Sequence, residues 1–181
     1  MSQADTHING PQPGDLTKVS MRVKSLHSID QLRGMFEVLG ETPKPPFIAM
    51  ISTPEWEQVE TDADHNLCVV GRFSFLGAKK SEDENINPSE KDAFIKVEAD
   101  FIVKYELSGG DAFNKDDVRA FMAINSTMNA YPFWREFVYN AVSRAGVPSI
   151  LIPPFNAVKS GLLRPKPQEL TPGTPSGDNQ P

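Results

Sequence analysis

The sequence predicts an α+β domain in which a meander of about four strands is followed by one long helical region. Three observations carry this. Apolar residues recur at every second position through AFIKVEADFIVKYEL (93–107) and NLCVVGRFSFLG (66–77). From Asn114 the apolar spacing changes to that of a helix and holds as far as Val142. Both ends of the chain are polar and rich in Pro and Gly.

The ends delimit the domain. Residues 1–16 contain Gly10, Pro11, Pro13 and Gly14 and too little apolar surface to offset the entropy of ordering, so they are expected to be disordered. Residues 159–181 spread Pro165, Pro167, Pro172, Pro175 and Pro181 among Gly, Ser and Thr, the composition of an extended tail. One folded domain is therefore expected over 17–158. The 39% hydrophobic content and 16 prolines in 181 residues agree with a chain that is packed only in part.

Within the domain, Val19, Met21 and Val23 alternate with Ser20, Arg22 and Lys24, and LHSIDQLRGMFEV follows with mixed spacing. A bulged strand or a short helix satisfies that spacing, and the strand is the favoured reading. Next comes a connection in which Pro43, Pro45, Pro46 and Pro54 surround Phe47, Ile48, Met50, Ile51 and Trp56. It is expected to be a long loop unless VETDADHN begins another strand. In the strand at 66–77, Leu67, Val69, Phe73 and Phe75 share one face, and Val70 and Leu76 make the other apolar as well. The acidic KKSEDENINPSEKD joins it, as a hairpin loop, to the strand whose core face is Ile95, Val97, Ala99, Phe101, Val103, Tyr105 and Leu107. Asn114 is placed to cap the helix, Asp116 and Asp117 suit its first turn, and Val118, Phe121, Met122, Asn125 and Met128 follow its period. Tyr131, Trp134, Phe137, Val138, Ala141 and Val142 continue the stripe. Pro132 lacks a backbone N–H, so a kink or break is expected near Tyr131. Gly146 and Pro148 supply the stop.

Composition excludes several functions. With 18 basic against 24 acidic side chains and a net charge of −6, a nucleic-acid backbone is a poor partner. Lys96, Lys104, Phe94, Phe101 and Tyr105 are the nearest approach to a basic aromatic platform, but the alternation puts the aromatics and the lysines on opposite faces. The lone Cys68 forms no internal disulfide and suits a reducing compartment, MSQADTHINGPQPGD shows neither the basic region nor the apolar stretch expected of a signal peptide, and no run of 18 apolar residues occurs. A soluble cytoplasmic protein without membrane insertion is expected. His7, His27 and His65 are isolated, and no GxSxG, GxxxxGK or GxGxxG occurs. No catalytic residue, metal or cofactor is therefore assigned; the alternative, a small-ligand-binding or enzymatic α+β domain, would need convergent polar groups that the sequence does not supply. What stands out is adaptable apolar surface. Phe47, Ile48, Met50, Ile51 and Trp56 in the connection, with Met122 and Met128 on the helix, are the candidate contacts for an apolar partner. For the methionines a core position is the competing reading, and for the connection both stay open. A sheet of this width outruns the cover of one helix, which implies oligomerisation or an open groove.

The block INSTMNAYPFWREFVYNAVSRAGVPSILIPPFN resembles the C-terminal helical signature of the SecB protein-export chaperones. The matching positions are Tyr131-Pro132, Arg135-Glu136, Arg144, Gly146, Pro148, Leu151, Pro153 and Asn156. STPEWEQVET resembles the tryptophan-bearing crossover of that family, with Trp56 in its place. The resemblance implies a SecB-like four-stranded antiparallel sheet with a long kinked helix and a short C-terminal helix, assembled as a homotetramer, a dimer of dimers. It implies an ATP-independent holdase for unfolded or precursor polypeptides, delivering them to SecA or, in relatives attached to toxin–antitoxin pairs, protecting an antitoxin. Two departures stand out. The family docks SecA through carboxylates on the sheet, whereas the first strand here carries Lys18, Arg22 and Lys24, with Asp30 and Glu37 as its carboxylates around an apparent insertion, LRG. The Pro-rich tail also replaces a short acidic one.

Overall fold

The computed structural model describes residues 13–44, 46–62, 66–79, 90–110, 113–148 and 150–157. The acidic hairpin loop and the Pro-rich tail lie outside them. A helix, α1 (Pro13–Ser20), precedes five strands: β1 (Val23–Val38), β2 (Phe47–Ile51), β3 (Glu55–Asp62), β4 (Asn66–Lys79) and β5 (Ala93–Leu107). All pairing is antiparallel, in the order β1-β5-β4 with both β2 and β3 beyond β4. β2 pairs with the end of β4 from Phe75 to Lys79, and β3 pairs with its start from Asn66 to Arg72. The sheet is thus four positions wide, the fourth shared by two short strands. The connection expected to be a loop is largely this pair of strands, because β4 is long enough for two short partners in tandem.

The beginning of the domain also differs from expectation. Val19 and Met21 belong to no strand: Pro13 opens α1, where a missing N–H costs nothing, and Val19 is fully buried while Met21 lies exposed just after the helix. β1 starts at Val23 and is the bulged strand anticipated, with register shifts against β5 at three places. The shift between Gln31 and Arg33 leaves Leu32 without a β5 partner, so the apparent insertion LRG is a bulge.

One sheet face carries the core. Along β5 the expected alternating set is buried, together with Leu67, Val69, Phe73 and Phe75 of β4. Phe121, Trp134 and Val138 of the helical region close over them, each such side chain stabilising the fold by roughly 1.5–3 kcal/mol. On the opposite face an ion-pair row crosses the whole sheet: Arg33 to Asp100 at 3.2 Å, Asp100 to Arg72 at 3.5 Å, and Arg72 to Glu55 at 3.8 Å.

The helical region comprises α2 (Lys115–Phe121), a π turn (Met122–Ser126) and α3 (Thr127–Arg144). Asn114 caps α2 by accepting from the Asp116 N–H at 3.1 Å, and buried Asp117 pairs with Lys18 of α1 at 3.6 Å. The break expected near Tyr131 is absent. α3 runs on through Pro132, which has no backbone N–H to donate, and the irregularity sits upstream, where the Thr127 N–H reaches the Met122 carbonyl. The extra residue of that turn rotates everything after it by about 100°. This explains Met128: the uninterrupted helical period buries it, whereas it is 57% exposed and Ala130, Tyr131 and Trp134 face the sheet. At the far end Gly146, with φ 69°, donates to the Ser143 carbonyl and Val147 to that of Val142, a Schellman stop as expected. From Val147 to residue 157 the described residues form neither helix nor strand, and residues 158–181, where a short C-terminal helix could follow, lie outside them.

Candidate functional site

The extended segment after α3 builds a groove. Two side chains of α3, one turn apart, hold it: the Tyr131 hydroxyl donates to the Pro153 carbonyl at 3.1 Å, and Arg135 Nε donates to the Ile152 carbonyl at 3.1 Å. The Phe155 ring meets the Tyr131 ring at 5.6 Å, and Ile152 is buried beneath. Tyr131, Arg135 and Pro153, grouped in the sequence by resemblance, are therefore one physical unit. Burial pushes the Tyr131 hydroxyl above its ordinary 10.0, against the lowering effect of the Arg135 charge. The Tyr131 hydroxyl thus donates as a protonated group at neutral pH. Of the remaining signature residues, Pro132, Glu136, Arg144, Gly146 and Pro148 are exposed.

The groove lies between this segment and the β2–β3 connector. Ile51, Ser52, Thr53 and Pro54 form one wall, Pro153, Pro154, Phe155 and Asn156 the other, and Tyr131 the floor; the cavity measures about 480 Å³. None of these residues is charged. On the other side of the segment a second cavity of about 400 Å³ is bounded by Pro132, Arg135, Glu136, Tyr139 and Ile150 to Ile152. An apolar, neutral, open trough of this kind can bury apolar side chains of an extended chain, and it offers no convergent acid, base or nucleophile for bond chemistry. Among the described residues no cluster of His, Cys, Asp and Glu could hold a metal ion.

The seven candidate contacts do not share one surface. Ile51 lines the groove. Phe47, Ile48 and Met50 sit with it on half-buried β2, where Phe47 packs on Phe94 at 5.2 Å. Trp56 stands behind the groove on β3: its ring meets Phe73 edge-on at 5.8 Å and its Nε1 donates to Thr127 Oγ1 at 2.8 Å. Met122 is buried in the π turn, and Met128 faces outward. Sequence reasoning placed Tyr131, Pro153 and Asn156 only through the resemblance and missed Thr53, Pro154 and Phe155 as groove walls. The run Pro153-Pro154-Phe155 was the available signal, since two prolines force extended chain beside an aromatic.

The fold is SecB-like. Among the solved structures it matches is the Mycobacterium tuberculosis Rv1957 SecB-like chaperone in complex with a ChAD peptide from the Rv1956 HigA1 antitoxin: TM-score 0.64, 16% sequence identity, 79% of this chain and 96% of that one covered. No protein family and no curated protein matches the sequence. No helix among the described residues is long and apolar enough to cross a membrane.

Proposed function

We propose that this protein is a molecular chaperone that holds unfolded polypeptides without nucleotide, burying their apolar side chains in the groove between the β2–β3 connector and the segment Pro153–Asn156. The observation that carries the reading is the groove itself, open, neutral and lined by Ile51, Tyr131, Phe155 and three prolines. Apolar client side chains gain roughly 25 cal/mol per Å² buried there, and contacts of that kind ask nothing of the client's sequence. The SecB-like fold supports the same reading, since the matched chaperone was solved with an antitoxin peptide bound. By the same analogy the client is an antitoxin, the resemblance of the 124–156 block to the export chaperones adds precursors passed to SecA, and no catalytic step is involved.

The assembly we propose is a dimer of dimers. β1 is an edge strand, and from Asp30 to Val38 every residue is exposed, including Leu32 at 57%, Phe36 at 40% and Val38 at 51%. A bare apolar edge of that length calls for a covering surface, which a second copy of the chain supplies.

Thr53→Asp and Pro154→Asp, at exposed wall positions, put charge into the groove while leaving the core untouched. Affinity for reduced, carboxymethylated α-lactalbumin should fall at least tenfold in the double variant with circular dichroism unchanged, a loss of about 1.4 kcal/mol. Unchanged affinity would remove the groove from the function.

A further inference from the structure

Trp56 lines neither cavity, yet it lies two residues beyond Pro54 of one groove wall, and its hydrogen-bond partner Thr127 lies one helical turn before Tyr131 of the floor. The bond between them therefore joins the two sides of the groove from behind. The connector is also anchored by the Ser52 N–H on the Ser74 carbonyl at 3.2 Å. At the helix end the bond is fixed by the π turn: Thr127 is fully buried, and its hydroxyl in turn donates to the Met122 carbonyl at 3.5 Å, which the Thr127 N–H also reaches. At the strand end the indole lies against Gly71, where even a Cβ would lie 2.6 Å from its ring carbons, so it can move no closer to β4.

We infer that Trp56 and Thr127 are positioning residues of the groove: their hydrogen bond across the π turn sets how far the β2–β3 connector stands from Tyr131, and so fixes the width a polypeptide enters. This rests on the proposed reading of the groove as a polypeptide site. The π turn is what makes the bond possible, since the shift in face it introduces brings Thr127, rather than Asn125 or Met128, over β3.

A neighbouring bond supplies the control. The Tyr105 hydroxyl donates to Ser126 Oγ at 3.0 Å in the same turn and is more deeply buried, but Tyr105 belongs to central β5 and neither residue adjoins a groove wall. The experiment measures the affinity of reduced, carboxymethylated α-lactalbumin for the full chain and for Trp56→Phe, Thr127→Val, the two combined, and Ser126→Ala. Each of the first two should weaken binding about five- to tenfold, and the combination by no more than either alone, because both remove one bond. Ser126→Ala should lower the unfolding midpoint as much as Thr127→Val and leave affinity unchanged. Affinities like the parent's in Trp56→Phe and Thr127→Val would overturn the inference, as would an equal loss in Ser126→Ala, which would mean general loosening of helix on sheet. If the parent chain binds no unfolded polypeptide, the reading of the groove fails first and the inference with it.

Discussion

Gly71 is the residue whose replacement can be worked through most fully. It is buried in β4 opposite Trp56, and a Cβ built there would lie 2.6 Å from two ring carbons of Trp56 and 2.8 Å from a third. Carbon atoms rest at about 3.5–4.0 Å, so in Gly71→Ala the indole must retreat by roughly 1 Å. The ring is rigid and backed by Phe73, so overpacking of this kind costs about 1–3 kcal/mol. The retreat also stretches the 2.8 Å bond to Thr127, which contributes about 1 kcal/mol. Alanine recovers roughly 0.5–1 kcal/mol through lower chain entropy in the unfolded state. The expected net loss is about 2 kcal/mol, read in urea unfolding as a midpoint lowered by about 1 M. In a Trp56→Phe background the shorter ring leaves room for the methyl group, so the same substitution should cost under ~1 kcal/mol. A midpoint unchanged in Gly71→Ala, or the same loss in both backgrounds, would refute the contact on which this reasoning stands.

Other perturbations follow from the same geometry. Pro132→Ala restores a backbone donor at an exposed position inside α3 and should raise unfolding stability by about 1–3 kcal/mol; a loss would show that the proline fits the helix better than its chemistry implies. Light scattering should give a mass of two or four subunits, reduced by Phe36→Lys with Val38→Lys on the β1 edge; a monomeric parent would contradict the proposed assembly. Burial raises the Tyr105 hydroxyl above 10.0, opposed by its hydrogen bonds with Ser126 and Asn129, and raises Tyr131 likewise. The unfolded chain therefore loses these protons first, so their stabilisation is complete below pH about 10 and falls as pH rises through the native values. Urea titrations between about pH 8 and 11 should show that fall, smaller in Tyr131→Phe, and a flat profile would count against the buried hydroxyls.

The sequence made the sheet core legible because β4 from Leu67 to Leu76 and β5 from Ile95 to Leu107 are each buried on one face by unbroken period-two patterning. The caps were legible for a similar reason: Asn114 and Gly146 act on their own neighbours, and local chemistry suffices to place them. What failed depended on distant partners. Whether 47–62 is loop or strand was decided by how much edge β4 offers, and the π turn by Trp56 and Tyr105 reaching hydroxyls on Thr127 and Ser126. Neither is written in the helical spacing itself: an uninterrupted period puts Met128 on the buried stripe, whereas it is exposed, and α3 continues through Pro132 while the irregularity lies upstream. The groove was legible only in part: its β2 end could be named from apolar residues among prolines, whereas the opposite wall required knowing that Tyr131 and Arg135 hold the chain that follows α3.

The central claim is that the groove receives unfolded polypeptide, and amide hydrogen exchange of the full chain with and without reduced, carboxymethylated α-lactalbumin tests it most directly. The account predicts slower exchange at Ile51 to Thr53, around Tyr131 and at Phe155 and Asn156 on addition of the client, unchanged by ATP. Protection confined to the outer sheet face around Arg33, Arg72 and Asp100, or none anywhere, would contradict it.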